Sequence, residues 1–145
     1  MSTAATFFTE EEKKRIADAI GDAERMTSGE IRVHLENFCA GDPYKRALSI
    51  FEKIGLHQTK QRNGVLFYIA VRSHKLAILG DEGIHAVVPA GFWDNIIAQL
   101  QTAFGEGKAA DGLCEALRQA GDQLKAHFPF QEGDVNEQPD HISHE

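Results

Sequence analysis

Cysteine is scarce. Cys39 and Cys114 are the only two, far apart and in no C-x-x-C spacing. A Cys/His ligand set for zinc is therefore absent. One bridge between them is possible on paper, but free thiols in a reducing compartment are the preferred reading. Basic residues are also short: 15 Lys and Arg stand against 22 Asp and Glu, a formal net charge of −7. Nucleic acid and anionic membrane reward Lys and Arg, so neither is expected as a main partner. An acidic balance suits cation binding, although a solvated surface accounts for most of it. No apolar stretch approaches the ~20 residues of a spanning helix. Met1 to Thr9 has neither a basic n-region nor an apolar h-region. Neither membrane insertion nor a secretory signal is expected, and the chain reads as soluble and cytoplasmic. There is no Gly-x-Ser-x-Gly elbow, no P-loop, no dinucleotide fingerprint and no His-Glu-x-x-His.

What is present is enough for one core: 145 residues with a hydrophobic fraction of 42% suit a single domain. Val65 to Val71 is the longest unbroken apolar run. A strand without alternation needs cover on both faces, so this one is central, with helices on either side. Arg72-Ser73-His74 turns the chain into a second strand from Lys75, which delivers Gly80-Asp81-Glu82-Gly83. Upstream, Thr9-Glu10-Glu11-Glu12 is a capping box opening a helix with an apolar stripe of Ile16, Ala17, Ile20 and Ala23, ending near Met26. Glu30 to Glu36 alternates strictly, which predicts a strand wet on one face and near a sheet edge, with His34 a surface partner of a carboxylate. Asp42-Pro43 caps and starts the next helix, which turns Ala47, Ile50, Phe51 and Ile54 inward and closes at Gly55.

A strand, a helix and a strand of this length imply a right-handed crossover and a parallel pair. The following hairpin is antiparallel, so the sheet is mixed. Ile84 to Pro89 reads equally as a helical turn or a bend. Trp93, Ile96, Ile97, Leu100 and Phe104 recur at helical spacing, Gly105-Glu106-Gly107 breaks that helix, and Leu113 to Leu124 makes a last one. Residues 8–129 form one domain. Residues 130–145 read as a disordered acidic tail; its His141 and His144 could hold a metal weakly, but a solvated tail is the preferred reading.

Strand direction then places the chemistry. The first strand and the central strand enter the sheet at one end, and the third leaves it there. Ser28, Glu30, Asn63, Asp81 and Glu82 should share a rim. Carboxylates with an Asn and freed carbonyls are hard oxygen ligands, suited to Ca²⁺ or Mg²⁺. Asp111, in the break before the last helix, could close the site. The alternative for Asp81 is a plain turn residue. His85 could serve as a general acid beside a metal, though a structural helix-start histidine is the preferred reading. Lys60 and Arg62 are the only basic residues near this rim.

Ser28-Gly29-Glu30-Ile31-Arg32-Val33, Ala47-Leu48 with Phe51, Arg62-Asn63-Gly64-Val65-Leu66, Gly80-Asp81-Glu82-Gly83-Ile84, Phe104-Gly105-Glu106-Gly107 and Asp111-Gly112-Leu113, in this order and spacing, resemble the TPM domain. The resemblance covers roughly Phe8 to Pro129. It implies a small three-layer α/β/α sandwich, Rossmann-like, and a divalent-cation site at the loops. Oxygen ligands without a recognisable nucleophile favour a bacterial accessory or protein-interaction module whose acidic loops are ordered by Ca²⁺ or Mg²⁺, with a metal-assisted acid phosphatase using the same loops as the alternative. A plant thylakoid-lumen member is linked to photosystem repair and acid phosphatase activity, and an animal member is a receptor accessory protein. Many bacterial members are exported or membrane-anchored, often with a Gly-rich tail, and the present sequence departs from them in lacking a signal, an anchor and such a tail. No nucleophile is evident.

Overall fold

Every residue of the strand Gly64–Ala70 (β2) is buried, and this determines the architecture. The computed structural model describes residues 3–130 and the backbone of 142–144. β2 pairs in parallel with β1 (Glu30–Glu36) and antiparallel with β3 (Lys75–Gly80). A short strand β4 (Ile142–His144) runs parallel to β1 on its other side, so the sheet order is β3-β2-β1-β4. The fold is a three-layer α/β/α sandwich with a mixed sheet.

Alternation along β1 and β2 divides the core. Ile31, Val33, Leu35, Val65, Phe67 and Ile69 pack against α1 (Glu10–Glu24), α4 (Phe92–Gly105) and α5 (Ala109–His127). Leu66, Tyr68 and Ala70 pack on the other face against Ala47, Ile50 and Phe51 of α2 (Pro43–Lys53) and against Leu56. Each large apolar side chain so buried contributes about 1.5–3 kcal/mol, which is why the unbroken apolar run is the middle of the sheet. Local chemistry sets the helix starts. Thr9 and Glu12 form the reciprocal capping box, and Asp42 caps α2 with Pro43 at its first position. The ambiguous stretch after Asp81 is a single helical turn, α3 (Glu82–His85). Cys39 is buried and Cys114 half-buried, and both are free thiols. No helix among the described residues is long and apolar enough to cross a membrane.

Two expectations for β1 fail. All seven positions of β1 are buried, so it has no wet face. It does lie near the sheet edge, as expected, with only the short β4 beside Val33–Leu35. The alternation is real, but its polar side is closed by partners rather than water. Arg46 and the Tyr68 hydroxyl both donate to the Glu36 carboxylate, with Arg46 Nε at 3.0 Å from Oε1 and 3.1 Å from Oε2. The His34 ring is buried and stacks on Tyr68 at 6.3 Å, so it is not a surface residue. A polar face is buried without large penalty when its groups are bonded. Of the stretch expected to be a disordered tail, 131–141 and 145 lie outside the described residues, whereas Ile142–His144 form β4 beside β1.

Candidate functional site

Three chain crossings build one rim. Glu30 pairs with Gly64, and Val65 pairs with Gly80, so the entries of β1 and β2 and the exit of β3 lie side by side. Two backbone bonds tie the loops together: Asp81 N–H donates to Gly64 O at 2.9 Å, and Gly83 N–H to Arg62 O at 2.8 Å. Gly83 is required there. A Cβ at this position would lie 2.1 Å from Gln61 O and 2.6 Å from Arg62 O. Thus Ser28, Glu30, Asn63, Asp81 and Glu82 come together at one end of the sheet, as strand direction predicts.

Their individual roles differ. Asp81 is the N-cap of α3, its Oδ1 accepting the Glu82 N–H at 2.8 Å. Arg62 grips the same carboxylate with two bonds, Nε to Oδ2 at 2.7 Å and an Nη to Oδ1 at 3.0 Å. The turn-residue alternative therefore describes much of what Asp81 does. Its carboxylate is already engaged on both oxygens. The bond to Asp81, offset in part by burial, holds the Arg62 guanidinium above its ordinary pKa. Glu82 projects into solvent, 74% exposed, 3.5 Å from the third Arg62 nitrogen. Arg62 and Asp81 together line a hollow of about 140 Å³ beside Leu48, Phe51 and Leu79.

Asn63 is the unusual member. It is only 1% exposed. Its Nδ2 donates to Ser28 Oγ at 3.2 Å, and its backbone N–H donates to Thr59 Oγ1 at 3.1 Å. Its Oδ1 is buried, and no donor among the described residues reaches it. An amide oxygen left so costs about 1–3 kcal/mol, and it is the kind of atom that a water or an ion satisfies.

Asp111 does not join the rim. It lies in the first turn of α5, not in a break, and it pairs with Arg15 of α1 at 2.7 Å, 67% exposed. The reason is helix direction. The end of α5 nearest the rim is its C-terminus, where Thr27 Oγ1 donates to Leu124 O at 3.1 Å. Thirteen residues of helix put Asp111 about 20 Å away. Among the described residues, no three His, Cys, Asp or Glu side chains are grouped to hold a metal ion. A cation at this rim would have to use amide, hydroxyl and carbonyl oxygens beside the carboxylates, as Ca²⁺ commonly does. The buried Asn63 Oδ1 fits that donor set.

Sequence reasoning missed Glu24. It is buried in the last turn of α1, and its Oε2 accepts the Ile31 N–H at 2.6 Å, closing the edge of β1 that β4 does not reach. The signal was available: Ile16, Ile20 and Glu24 fall four apart, so this carboxylate continues the apolar stripe. Far from the rim, a cavity of about 490 Å³ opens between Phe7, Val71, Leu76 and Phe104. The full length of β2, about 20 Å, separates the two.

The family model for the TPM domain matches residues 1–123. The chain belongs to the TPM domain family. This TPM domain is similar to the BA42 protein of the psychrophilic bacterium Bizionia argentinensis, whose NMR structure it matches with 43% identity and a TM-score of 0.89 over 100% of both chains. It shares its fold with the N-terminal domain of a P. gingivalis protein, at 18% identity and TM-score 0.70 over 88% of this chain and 85% of that one. It also shares it with the N-terminal domain of the cg2496 protein from Corynebacterium glutamicum, at 14% identity and TM-score 0.64 over 91% and 81%. No curated protein matches the chain.

Proposed function

We propose that this TPM domain binds a divalent cation, Ca²⁺ or Mg²⁺, at the rim formed by Ser28, Glu30, Asn63, Asp81 and Glu82, and that the ion shapes this surface for a protein partner. The observation that carries the reading is the buried Asn63 Oδ1, which has no donor among the described residues. A hard cation would satisfy it, and Glu82, exposed to solvent 3.5 Å from Arg62, is placed to complete a shell from outside. The acidic balance of the chain, −7, favours accumulation of the ion. Isothermal titration of both ions into wild type and Asn63→Ala tests it. Wild type should bind, and Asn63→Ala should bind at least about tenfold more weakly, which is about 1.4 kcal/mol. Equal binding by the two proteins rejects the site.

A further inference from the structure

Arg62 is held in an unusual way. Its backbone is left-handed, with φ of 51° in a non-glycine residue, a conformation that persists only where the surroundings enforce it. The loop supplies that enforcement: Arg62 N–H donates to Thr59 O at 3.2 Å, and Arg62 O accepts from Gly83. Launched from this residue, one guanidinium spans two neighbouring carboxylates. It makes the two-point grip on Asp81 and approaches Glu82 at 3.5 Å.

The two partners in the grip are unequal. The Asp81 side chain is only 7% exposed, and its Oδ1 also caps α3, so it is fixed in place. The Arg62 side chain is 44% exposed and can leave into water. Without it, Asp81 and Glu82 present two adjacent negative charges, the complement of a divalent ion.

We infer that the Arg62 guanidinium is a resident counter-ion at this rim: it occupies the carboxylates that the cation would take and so sets the concentration at which the cation binds. This rests on the cation reading above. A divalent ion that takes Asp81 must release Arg62, and the two are antagonists coupled through one carboxylate. Couplings of this kind are worth about 5–150-fold in affinity. Replacement by Lys keeps the charge but loses the planar fork, so it relieves only part of the competition.

The test is calorimetric titration of CaCl₂ into wild type, Arg62→Ala, Arg62→Lys and Lys60→Ala at physiological salt. Fluorescence of Trp93 follows in parallel. Trp93 is the sole tryptophan, and its ring packs so closely on Gly80, the residue before Asp81, that a Cβ there would lie 2.9 Å from it. Arg62→Ala should bind at least about tenfold more tightly than wild type, with Arg62→Lys between them. Lys60→Ala removes an exposed charge from the same loop without touching Asp81 and should stay within about twofold, because solvent and salt screen it. Without Ca²⁺, Arg62→Ala should melt lower than wild type, and Ca²⁺ should raise its melting temperature more than it raises that of wild type. Equal affinity of wild type and Arg62→Ala overturns the inference and leaves the cation reading standing. An equal gain from Lys60→Ala does the same, since it would reduce the effect to net charge. No binding by any of the four proteins removes the cation reading, and this inference with it. Should Arg62→Ala fail to fold, Arg62→Gln, which retains a donor for Asp81 without the charge, takes its place under the same criteria.

Discussion

Gly83→Ala is the sharpest perturbation of the rim. The added Cβ would lie 2.1 Å from Gln61 O and 2.6 Å from Arg62 O. Both are backbone atoms, so no side chain can rotate out of the way. To reach an ordinary contact the two loops must part by about 1 Å, which breaks the 2.8 Å bond from Gly83 N–H to Arg62 O. The lost bond accounts for about 0.5–1.5 kcal/mol. Forcing extra volume into a packed site adds about 1–3 kcal/mol. Together they give roughly 2–4 kcal/mol, or a melting temperature lower by roughly 6–12 °C in a domain of this size. The matching control is Gly105→Ala at the end of α4, where a Cβ would meet nothing within 4 Å. Alanine is the better helix former by up to about 1 kcal/mol, so this variant should melt at or slightly above wild type. Calorimetric melting of the three proteins decides. A Gly83→Ala protein that melts within about 2 °C of Gly105→Ala would refute the close-approach reasoning and the rim geometry built on it.

Further outcomes follow from the polar side of β1 and from the helix layer. Burial works to raise the Glu36 carboxyl, but the bonds from Arg46 and Tyr68 outweigh it and hold it below the usual carboxylate range. Because the folded pKa is depressed, this stabilisation is present above the unfolded pKa of about 4.3 and is lost as pH falls through the folded value. Melting curves from pH 7 to pH 3 should show that loss in wild type and a weaker one in Glu36→Gln; parallel curves would contradict it. Burial, then the bond to Glu36, pushes the Tyr68 hydroxyl far above its ordinary pKa, so it remains a donor throughout that range. Tyr68→Phe should therefore lose about 1.5–3 kcal/mol in urea denaturation. Between α4 and α5, a Cβ on Gly112 would meet the Ala103 Cβ at 2.4 Å. Gly112→Ala should cost about 1–3 kcal/mol, and adding Ala103→Gly should recover part of it; strictly additive effects in this double-mutant cycle would show that the two positions do not touch.

Some features were legible because their causes are local. The Thr9–Glu12 box and the Asp42-Pro43 start depend on atoms within four residues of one another, and both are present. The rim was legible for a different reason. Parallel and antiparallel connections constrain which strand ends coincide, so Glu30, Asn63 and Asp81 could be brought together from topology alone. Topology did not extend to Asp111. Its distance from the rim depends on where α5 begins and which of its ends returns to Thr27, and the helix starts at Ala109, earlier than its apolar stripe suggested. Topology placed Arg62 near the rim but not its grip on Asp81. As a basic residue in a polar loop it reads as surface charge, and neither its left-handed backbone nor its bond to Asp81 is encoded by spacing.

The chain by itself determined where β2 lies and that it must be covered on both sides, since an unbroken apolar run leaves no face for water. It also determined the order of elements and hence the end of the sheet at which the acidic turn emerges. Only the folded molecule decided what becomes of each polar group. Glu24, His34 and Glu36 are buried rather than wet, Asp81 is held by Arg62, and Asn63 Oδ1 has no donor among the described residues. The physical reason is that apolar burial follows a pattern written along the chain. Satisfaction of a buried polar atom depends on partners tens of residues distant and on angles that no spacing encodes.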